Sequence, residues 1–138
     1  MEKDGKKVAS VRQRFLATFV DLFVVISFYL IINDKLVFVE SLIARSILFF
    51  IIFEIYFVLN NYYLNGLTIG RAIANTRLYR MDGYKLTISD LLYRYIFCII
   101  VYILSLGVLF IASYMSIKKN GRAVHDEMNK TIVLQISN

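Results

Sequence analysis

The sequence has no proline, no tryptophan and a single cysteine among its 138 residues, and only 19% of them are charged. One cysteine cannot form an internal disulfide, so a secreted disulfide scaffold is excluded. Hydrophobic residues make up 59% of the chain, above the roughly 45–50% of average soluble domains. A soluble domain this small would have too little polar surface to cover that apolar content. The composition therefore argues against a soluble enzyme and a disordered chain, and favours a membrane protein.

Acidic residues and histidine are also scarce. The net charge of +6 would be attracted by nucleic acid or by an anionic membrane, but the hydrophobicity favours the lipid bilayer, and we expect no nucleic-acid partner. The only histidine, His125, cannot build a metal site by itself, and no Cys, His and carboxylate cluster has metal-ligand spacing. No nucleophile–base pair, phosphate loop or dinucleotide motif is present. We therefore predict that the protein is not an enzyme and has no cofactor.

Three apolar stretches organise the chain as one domain over residues 1–138. The stretches at 15–32 and 42–59 each match one helical crossing, which needs roughly 20 residues. The stretch at 91–117 is long for one crossing, too short for two, and weakest near Gly107. The sequence therefore predicts an all-α polytopic membrane protein with two transmembrane helices and a third, broken or re-entrant, hydrophobic segment.

Lysine and arginine determine the predicted orientation. They concentrate in residues 1–14, in the link at 60–90 and in the tail at 118–138, whereas residues 33–41 hold one lysine. The positive-inside rule therefore places the N-terminus and the link in the cytoplasm and residues 33–41 outside, and the basic residues of the tail also favour the cytoplasm. Three full crossings would put the tail outside. A re-entrant hairpin near Gly107 removes this conflict because glycine permits a break in the helix, and a single crossing is the alternative.

The link at 60–90 contains the signals of a small sheet. Asp82-Gly83 lies between alternating polar and apolar residues, which is a strong hairpin signal because both residues accept a positive φ. The tail segment at 131–136 also alternates, and it can add a strand to this hairpin if the tail is cytoplasmic. We therefore expect a small cytoplasmic β-hairpin beside the helices.

Two helix signals flank that hairpin. Ile69, Ala72 and Ile73 lie at helical spacing, with Arg71 off their face, and predict a short interfacial helix. Thr87 is followed three residues later by an aspartate, a spacing typical of a helix start. The third hydrophobic segment should begin there.

Ionisable groups inside the apolar stretches are the candidate functional residues, because each costs several kcal/mol at membrane depth and normally faces a partner. Arg14 and Asp21 are two helical turns apart and share one face of the first helix. Asp21 lies roughly 9 Å, and Glu54 about 8 Å, from the cytoplasmic boundary, so the carboxylates have matching depth in neighbouring helices. Arg94 enters the same leaflet from the third segment. The sequence predicts one cluster of two acidic and two basic groups.

This cluster has a structural and a functional interpretation. The charges can neutralise one another and fix helix register. They can also handle protons or cations, since intramembrane carboxylates are common in ion pathways. Three segments are few for a monomeric pathway, so transport would require a homo-oligomer or a second membrane protein. The alternative function is an accessory role, in which the basic cytoplasmic face binds anionic lipid or another membrane protein.

Three tyrosines and the single histidine are further residues of interest. Tyr56, Tyr62 and Tyr63 indicate an interfacial aromatic belt. His125 beside Asp126 can relay a proton or anchor the tail by a hydrogen bond, and we favour the anchor.

Three blocks of the sequence resemble the RDD family of small membrane proteins, which is named for an arginine and two aspartates. In chain order the blocks are Arg14-Phe-Leu-Ala-Thr-Phe-Val-Asp21, Gly66-Leu-Thr68-Ile-Gly70-Arg71 leading to Asp82-Gly83, and Arg122-Ala-Val-His125-Asp126 leading to Thr131-Ile-Val. They follow the family's order and cover nearly the whole chain. The short first outer loop departs from the family pattern, as does Lys130, where the family usually has a small residue.

The resemblance implies a polytopic plasma-membrane protein with Arg14, Asp21 and Asp126 as signature residues. The supporting residues in the matching blocks are Thr68, Gly70, Arg122 and His125. The resemblance also fits a cytoplasmic tail, because Asp126 can approach Arg14 only from the same side. It implies transport of a small solute, with cation/proton antiport attributed to some members. Glu54 matches no block and depends on the depth argument alone.

Overall fold

The computed structural model describes residues 2–3, 5–35, 41–105 and 108–136. Within these residues the chain is mostly helical, with four short strands. The helices are α1 (Val11–Lys35), α2 (Leu42–Tyr63), α3 (Ile69–Ile73), α4 (Ile88–Leu104), α5 (Val108–Asn120) and α6 (Val124–Met128). The strands are β1 (Glu2–Lys3), β2 (Lys6–Lys7), β3 (Thr76–Arg80) and β4 (Thr131–Gln135).

Helices α1 and α2 are long enough and apolar enough to cross a membrane. Their 25 and 22 residues extend about 38 and 33 Å, against a hydrocarbon core of roughly 30 Å. Large apolar side chains on both helices are exposed; the exposed fraction is 68% for Phe23 and 72% for Ile43. Such a surface is unfavourable in water and suits contact with lipid. The two predicted crossings are confirmed as span-length helices, and each is longer than predicted.

The third hydrophobic segment forms two helices, α4 and α5, with a break between them. The predicted re-entrant bend falls on residues 106–107, which lie outside the described residues. The start of α4 nevertheless lies near the end of α5. Arg94 in the second turn of α4 forms an ion pair with Asp126, which follows α5 in the chain. Arg14 at the start of α1 reaches the same place through the carbonyl of Gly121.

Strands β3 and β4 form an antiparallel pair that joins the link to the tail. The pairing runs from Thr76 opposite Gln135 to Arg80 opposite Thr131. The N-terminal segment continues this arrangement, since the Ala9 N–H donates to the carbonyl of residue 133 at 3.0 Å. The tail therefore forms the strand that its alternating pattern predicts.

The predicted β-hairpin across Asp82-Gly83 is wrong, because the residues after this turn form no strand. Asp82 instead accepts a hydrogen bond from Nη2 of Arg80 at 2.7 Å and turns the chain toward α4. Thr87 and Asp90 then cap that helix as predicted: the Thr87 N–H donates to Oδ2 of Asp90, and the Asp90 N–H donates to Oγ1 of Thr87. The local turn signal is satisfied without strand pairing.

Helix α3 is the short helix that the spacing of apolar residues predicts. Thr68 caps it by accepting a hydrogen bond from the Arg71 N–H at 3.2 Å. Ile69 and Ile73 are exposed, whereas Gly70 and Arg71 are buried. Gly70 and Arg71 therefore face the rest of the molecule.

The apolar core lies where the sheet meets the end of α2 and the start of α4. Its buried members are Ala9, Val58, Leu78, Leu86, Leu91 and Val133. We call residues 64–90 and 121–136 the head. The head packs over one end of the helices, where the buried polar side chains also lie.

Candidate functional site

Asp126 is the centre of a buried ion-pair network. Its side chain has no exposed surface, and its Oδ2 lies 2.5 Å from Nη1 of Arg14 while its Oδ1 lies 2.6 Å from Nη2 of Arg94. Oδ2 also accepts a hydrogen bond from the Ala123 N–H at 3.1 Å, which fixes the start of α6. Burial alone would raise the pKa of Asp126, but the neighbouring positive charges, Arg94 foremost, hold the pKa below its ordinary value.

The two arginines of this network also bind the backbone and the tail. Arg14 donates from Nε to the carbonyl of Ala9 at 3.2 Å and from Nη2 to the carbonyl of Gly121 at 2.7 Å. Arg94 donates from Nη1 to the hydroxyl of Thr131. The network therefore joins α1, α4 and the tail, which are far apart in sequence.

Asp21 belongs to a second set of contacts, in which its hydrogen-bond partners are neutral. The residue is 2% exposed. Its Oδ2 accepts from the Thr68 hydroxyl at 2.6 Å, and its Oδ1 accepts from the Gly70 N–H at 2.8 Å and from the Tyr56 hydroxyl at 2.7 Å. Within the described ranges, no ion pair involves Asp21. Arg14 shares a helix face with Asp21, as predicted, but it forms its ion pair with the other signature aspartate, Asp126.

Gly70 allows α3 to approach α1 closely enough for this contact. A Cβ at this position would lie 2.8 Å from the carboxyl carbon of Asp21 and would overlap the carbonyl group of Ala17. Only glycine leaves room for such an approach. Thr68 and Gly70, which the family resemblance marks as supporting residues, thus both contact Asp21 directly.

Glu54 takes part in neither set. Both of its carboxylate oxygens are buried without a hydrogen-bond partner among the described residues, and no ion pair there joins it to an arginine. Depth along a helix does not fix rotation about its axis. Tyr56 points its hydroxyl at Asp21, and Glu54, two residues earlier, lies about 200° around the same helix. The predicted cluster of four charges therefore does not form around Glu54.

His125 and Arg122 lie beside the network without completing it. His125 Nε2 is 3.6 Å from Oδ1 of Asp126. Burial, with Arg94 as the next cause, lowers the pKa of His125 to about 4, so the ring is neutral at pH 7. Arg122 directs Nη1 to the sulfur of Met81 at 3.3 Å, away from the aspartates.

Arg71 is a functional candidate that the sequence places correctly, off the apolar face of α3, without indicating what it contacts. It donates to the side-chain oxygen of Asn61, to the carbonyl of Gly66 at 3.2 Å and to the hydroxyl of Tyr95 at 3.1 Å. Asn61 is one of the few polar residues that interrupt the mostly apolar helix α2, and it is fully buried. That interruption is the signal in the sequence that points to a polar partner, as Tyr56 is for Asp21.

A cavity of about 470 Å³ joins these groups. Its charged and polar lining includes Arg14, Asp21, Arg71, Arg94 and His125. Its apolar and aromatic lining includes Phe15, Phe53, Phe57, Tyr95 and Ile117. This volume lies within the range of small-molecule sites, roughly 300–1,000 Å³. In the described part of the chain, no group of three or more His, Cys, Asp or Glu side chains could hold a metal ion.

Comparison with known proteins identifies the family. The sequence model described as the RDD family matches residues 8–130. No curated protein and no solved structure matches the chain. The matched range contains both aspartates and the arginine described above, Arg14, Asp21 and Asp126. Because the match covers most of the chain, this membrane protein belongs to the RDD family.

Proposed function

We propose that the protein moves a small solute across the membrane in exchange with protons, and that Asp21 is the carboxylate that takes up and releases the proton. Family membership and two span-length apolar helices support a membrane protein. The observation that carries the proposal is the position of Asp21: it lines the cavity, and its hydrogen-bond donors are two hydroxyls and one backbone N–H.

The hydroxyl donors allow Asp21 to change protonation state within one arrangement of the backbone. A hydroxyl can act as donor or acceptor. When Asp21 is ionised, Tyr56 and Thr68 donate hydrogen bonds to it. When Asp21 is protonated, either hydroxyl can rotate and accept a hydrogen bond from the carboxyl O–H. Asp126 lacks this freedom, because its two guanidinium partners are donors only. Protonation of Asp126 would leave Arg14 and Arg94 buried without a counter-charge.

The charges in and beside the cavity favour an uncharged or anionic solute over a cation, although the sequence analysis allows either a cation or a small solute. Arg14, Arg71, Arg94 and Asp21 line the cavity, and Asp126 pairs with two of these arginines. The three arginines carry three positive charges and the two aspartates carry two negative ones when ionised, which leaves a surplus of one positive charge. A cation would therefore enter an unfavourable potential. Because two span-length helices are few for a pathway, the proposal includes a homo-oligomer, in which copies of the chain surround the route.

Proton flux in proteoliposomes tests this function. Purified full-length protein would be reconstituted with an internal pH dye, and external pulses of sodium chloride, potassium chloride, sodium phosphate and an uncharged sugar would be compared. We expect at least one pulse to change the internal pH, and Asp21→Asn to reduce the rate at least tenfold. Asp34→Asn is the matched control, because Asp34 is exposed on the same helix and should leave the rate unchanged.

A second variant separates loss of transport from loss of folding. Tyr56→Phe removes one donor to Asp21 and keeps the ring, so it should fold as the wild type does and shift the pH dependence of the flux. Absence of flux with every pulse, or flux that Asp21→Asn leaves unchanged, would overturn the proposal.

We also propose that the protein lies in the plasma membrane and that its head lies in the cytoplasm. Exposed basic residues at the head end of the molecule support this orientation. They are Arg12, Lys85, Lys118, Lys119 and Lys130. A cysteine introduced at Lys119, with Cys98 replaced by serine, should resist an impermeant thiol reagent in intact cells and react after lysis. Labelling in intact cells would place the tail outside and contradict the orientation.

The same basic surface supports a second candidate function, an accessory protein that binds another membrane protein or anionic lipid through its head. This function needs no change of protonation at Asp21. Co-purification of one specific membrane protein in stoichiometric amount, together with an absence of proton flux, would favour it over transport.

A further inference from the structure

Arg71 is a buried cation whose contacts are with neutral groups. It is 8% exposed, and its guanidinium donates to the amide oxygen of Asn61, the carbonyl of Gly66 and the hydroxyl of Tyr95. None of the ion pairs among the described residues involves Arg71. A charge that leaves water without a counter-charge is costly, and buried charges are normally paired.

The other two arginines of the cavity differ from Arg71 in this respect. Arg14 and Arg94 both pair with Asp126, at 2.5 and 2.6 Å. With Asp21 also ionised, these three arginines and the two aspartates carry one surplus positive charge. Arg71 lines the cavity, so a monoanion that enters the cavity can supply the counter-charge that the chain itself does not place there.

The cavity is amphipathic, which restricts the kind of monoanion. Aromatic rings of α2 and α4 line the cavity beside the arginines, with Phe57 and Tyr95 centroids 4.9 Å apart, and we call them the aromatic wall. Phe15 and Thr18 also line the cavity. Both are exposed on α1, Phe15 to 73%, and they therefore mark a side of the cavity that opens on the surface of a membrane-crossing helix.

We propose that this cavity binds the headgroup of an acidic phospholipid with one negative charge, that Arg71 pairs with its phosphate, and that the aromatic wall holds the adjoining acyl chains. Arginine suits a phosphate because its fork of N–H donors matches two of the oxygens. A zwitterionic lipid would leave the surplus charge in place. This inference goes beyond the proposed function, because it assigns a bound lipid to the same cavity and does not require transport.

Lipid retention by the purified full-length chain tests the proposal. The protein in a neutral detergent would be mixed with phosphatidylglycerol or phosphatidylcholine, and bound lipid would be counted by native mass spectrometry. We expect one phosphatidylglycerol per chain at concentrations where phosphatidylcholine is not retained. Arg71→Gln should weaken retention at least tenfold, and Arg71→Lys should weaken it less. Arg12→Gln removes an exposed charge of α1 outside the cavity and should have no effect.

A variant that leaves Arg71 intact protects the test against misfolding, since Arg71 also bonds to Asn61 and Tyr95. Thr18→Trp places a ring at the side of the cavity on α1 and should abolish retention while the thermal midpoint without lipid is unchanged. Phe19→Trp, on an exposed side chain that does not line the cavity, is its control and should retain lipid.

Several outcomes would overturn the inference. They are equal retention of both lipids, equal weakening by Arg12→Gln and Arg71→Gln, and full retention by Thr18→Trp. Displacement of phosphatidylglycerol by millimolar inorganic phosphate would identify a soluble anion as the ligand and refute the lipid. Retention without proton flux would contradict transport alone, and flux without retention would contradict this inference alone.

Discussion

The two signature aspartates are buried almost equally and are held in opposite ways. Asp126 has no exposed surface and lies between two guanidiniums. Asp21 is 2% exposed and accepts hydrogen bonds from two hydroxyls and a backbone N–H. The first arrangement fixes one charge state, because donors that carry charge cannot adapt to a protonated carboxyl group. The second tolerates either state. We therefore expect Asp126 to stabilise the fold and, in the proposed function, Asp21 to be the aspartate that changes its protonation state.

The largest expected effect comes from Asp126→Asn. The substitution leaves Arg14 and Arg94 buried without their counter-charge, and breaking a buried pair costs roughly 3–5 kcal/mol. We expect a loss of this size in the free energy of unfolding, measured in detergent by denaturant titration. Asp82→Asn is the control, because its pair with Arg80 is partly exposed and is screened by solvent, so its loss should cost far less. Similar losses for both variants would mean that Asp126 has no special structural role.

Gly70→Ala should disturb the contacts of Asp21 through steric overlap between α3 and α1. Its methyl group would displace α3 from α1 and separate Asp21 from two of its donors. Overpacking costs typically 1–3 kcal/mol, and the lost hydrogen bonds add to it, so we expect about 3 kcal/mol and loss of proton flux. Gly83→Ala is the control: its Cβ has open space, and its positive φ costs about 1 kcal/mol. Wild-type flux from a folded Gly70→Ala protein would separate Asp21 from transport.

Acid should lower the free energy of unfolding through His125, the neighbour of Asp126. The pKa of His125 is lowered to about 4 in the folded protein, against roughly 6.5 when unfolded. Between these values the unfolded chain binds more protons, so stability is lost as the pH falls from 6.5 toward 4. We expect a loss of about 2 kcal/mol between pH 6.5 and 4.5, before protonation of Asp126 contributes. His125→Gln should flatten this part of the stability profile, and an unchanged slope would contradict the assignment.

The sequence predicts the parts of this fold that depend on local or one-dimensional signals. Helices α1 and α2 follow from apolar length, and the start of α4 follows from the spacing of Thr87 and Asp90. The hairpin at Asp82-Gly83 fails because a turn signal does not say which strand will pair with β3. The tail supplies that strand from more than 50 residues away.

The candidate site shows the same limit. The depth of Glu54 is correct along the chain but says nothing of rotation, and Tyr56 rather than Glu54 faces Asp21. Arg14 and Asp126 are 112 residues apart, so only the family resemblance, and no periodicity, connects them. The sequence does not predict the contacts of Arg71, because Asn61 and Tyr95 lie on two different helices and meet only in the folded chain.

The smallest expected effect, and the sharpest test of the comparison, is the stability of Asp21→Asn. An asparagine oxygen can still accept from the Gly70 N–H, and its amide group can donate to the hydroxyl of Tyr56 or Thr68 after that hydroxyl rotates. The cost should therefore be about 1 kcal/mol, the size of one altered hydrogen bond, and well below that of Asp126→Asn under the same titration. If Asp21→Asn were as costly as Asp126→Asn, the neutral contacts would be as rigid as the ion pairs, and the freedom that proton exchange requires would be absent. If the variant keeps its stability and loses proton flux, the two aspartates divide structure and chemistry between them.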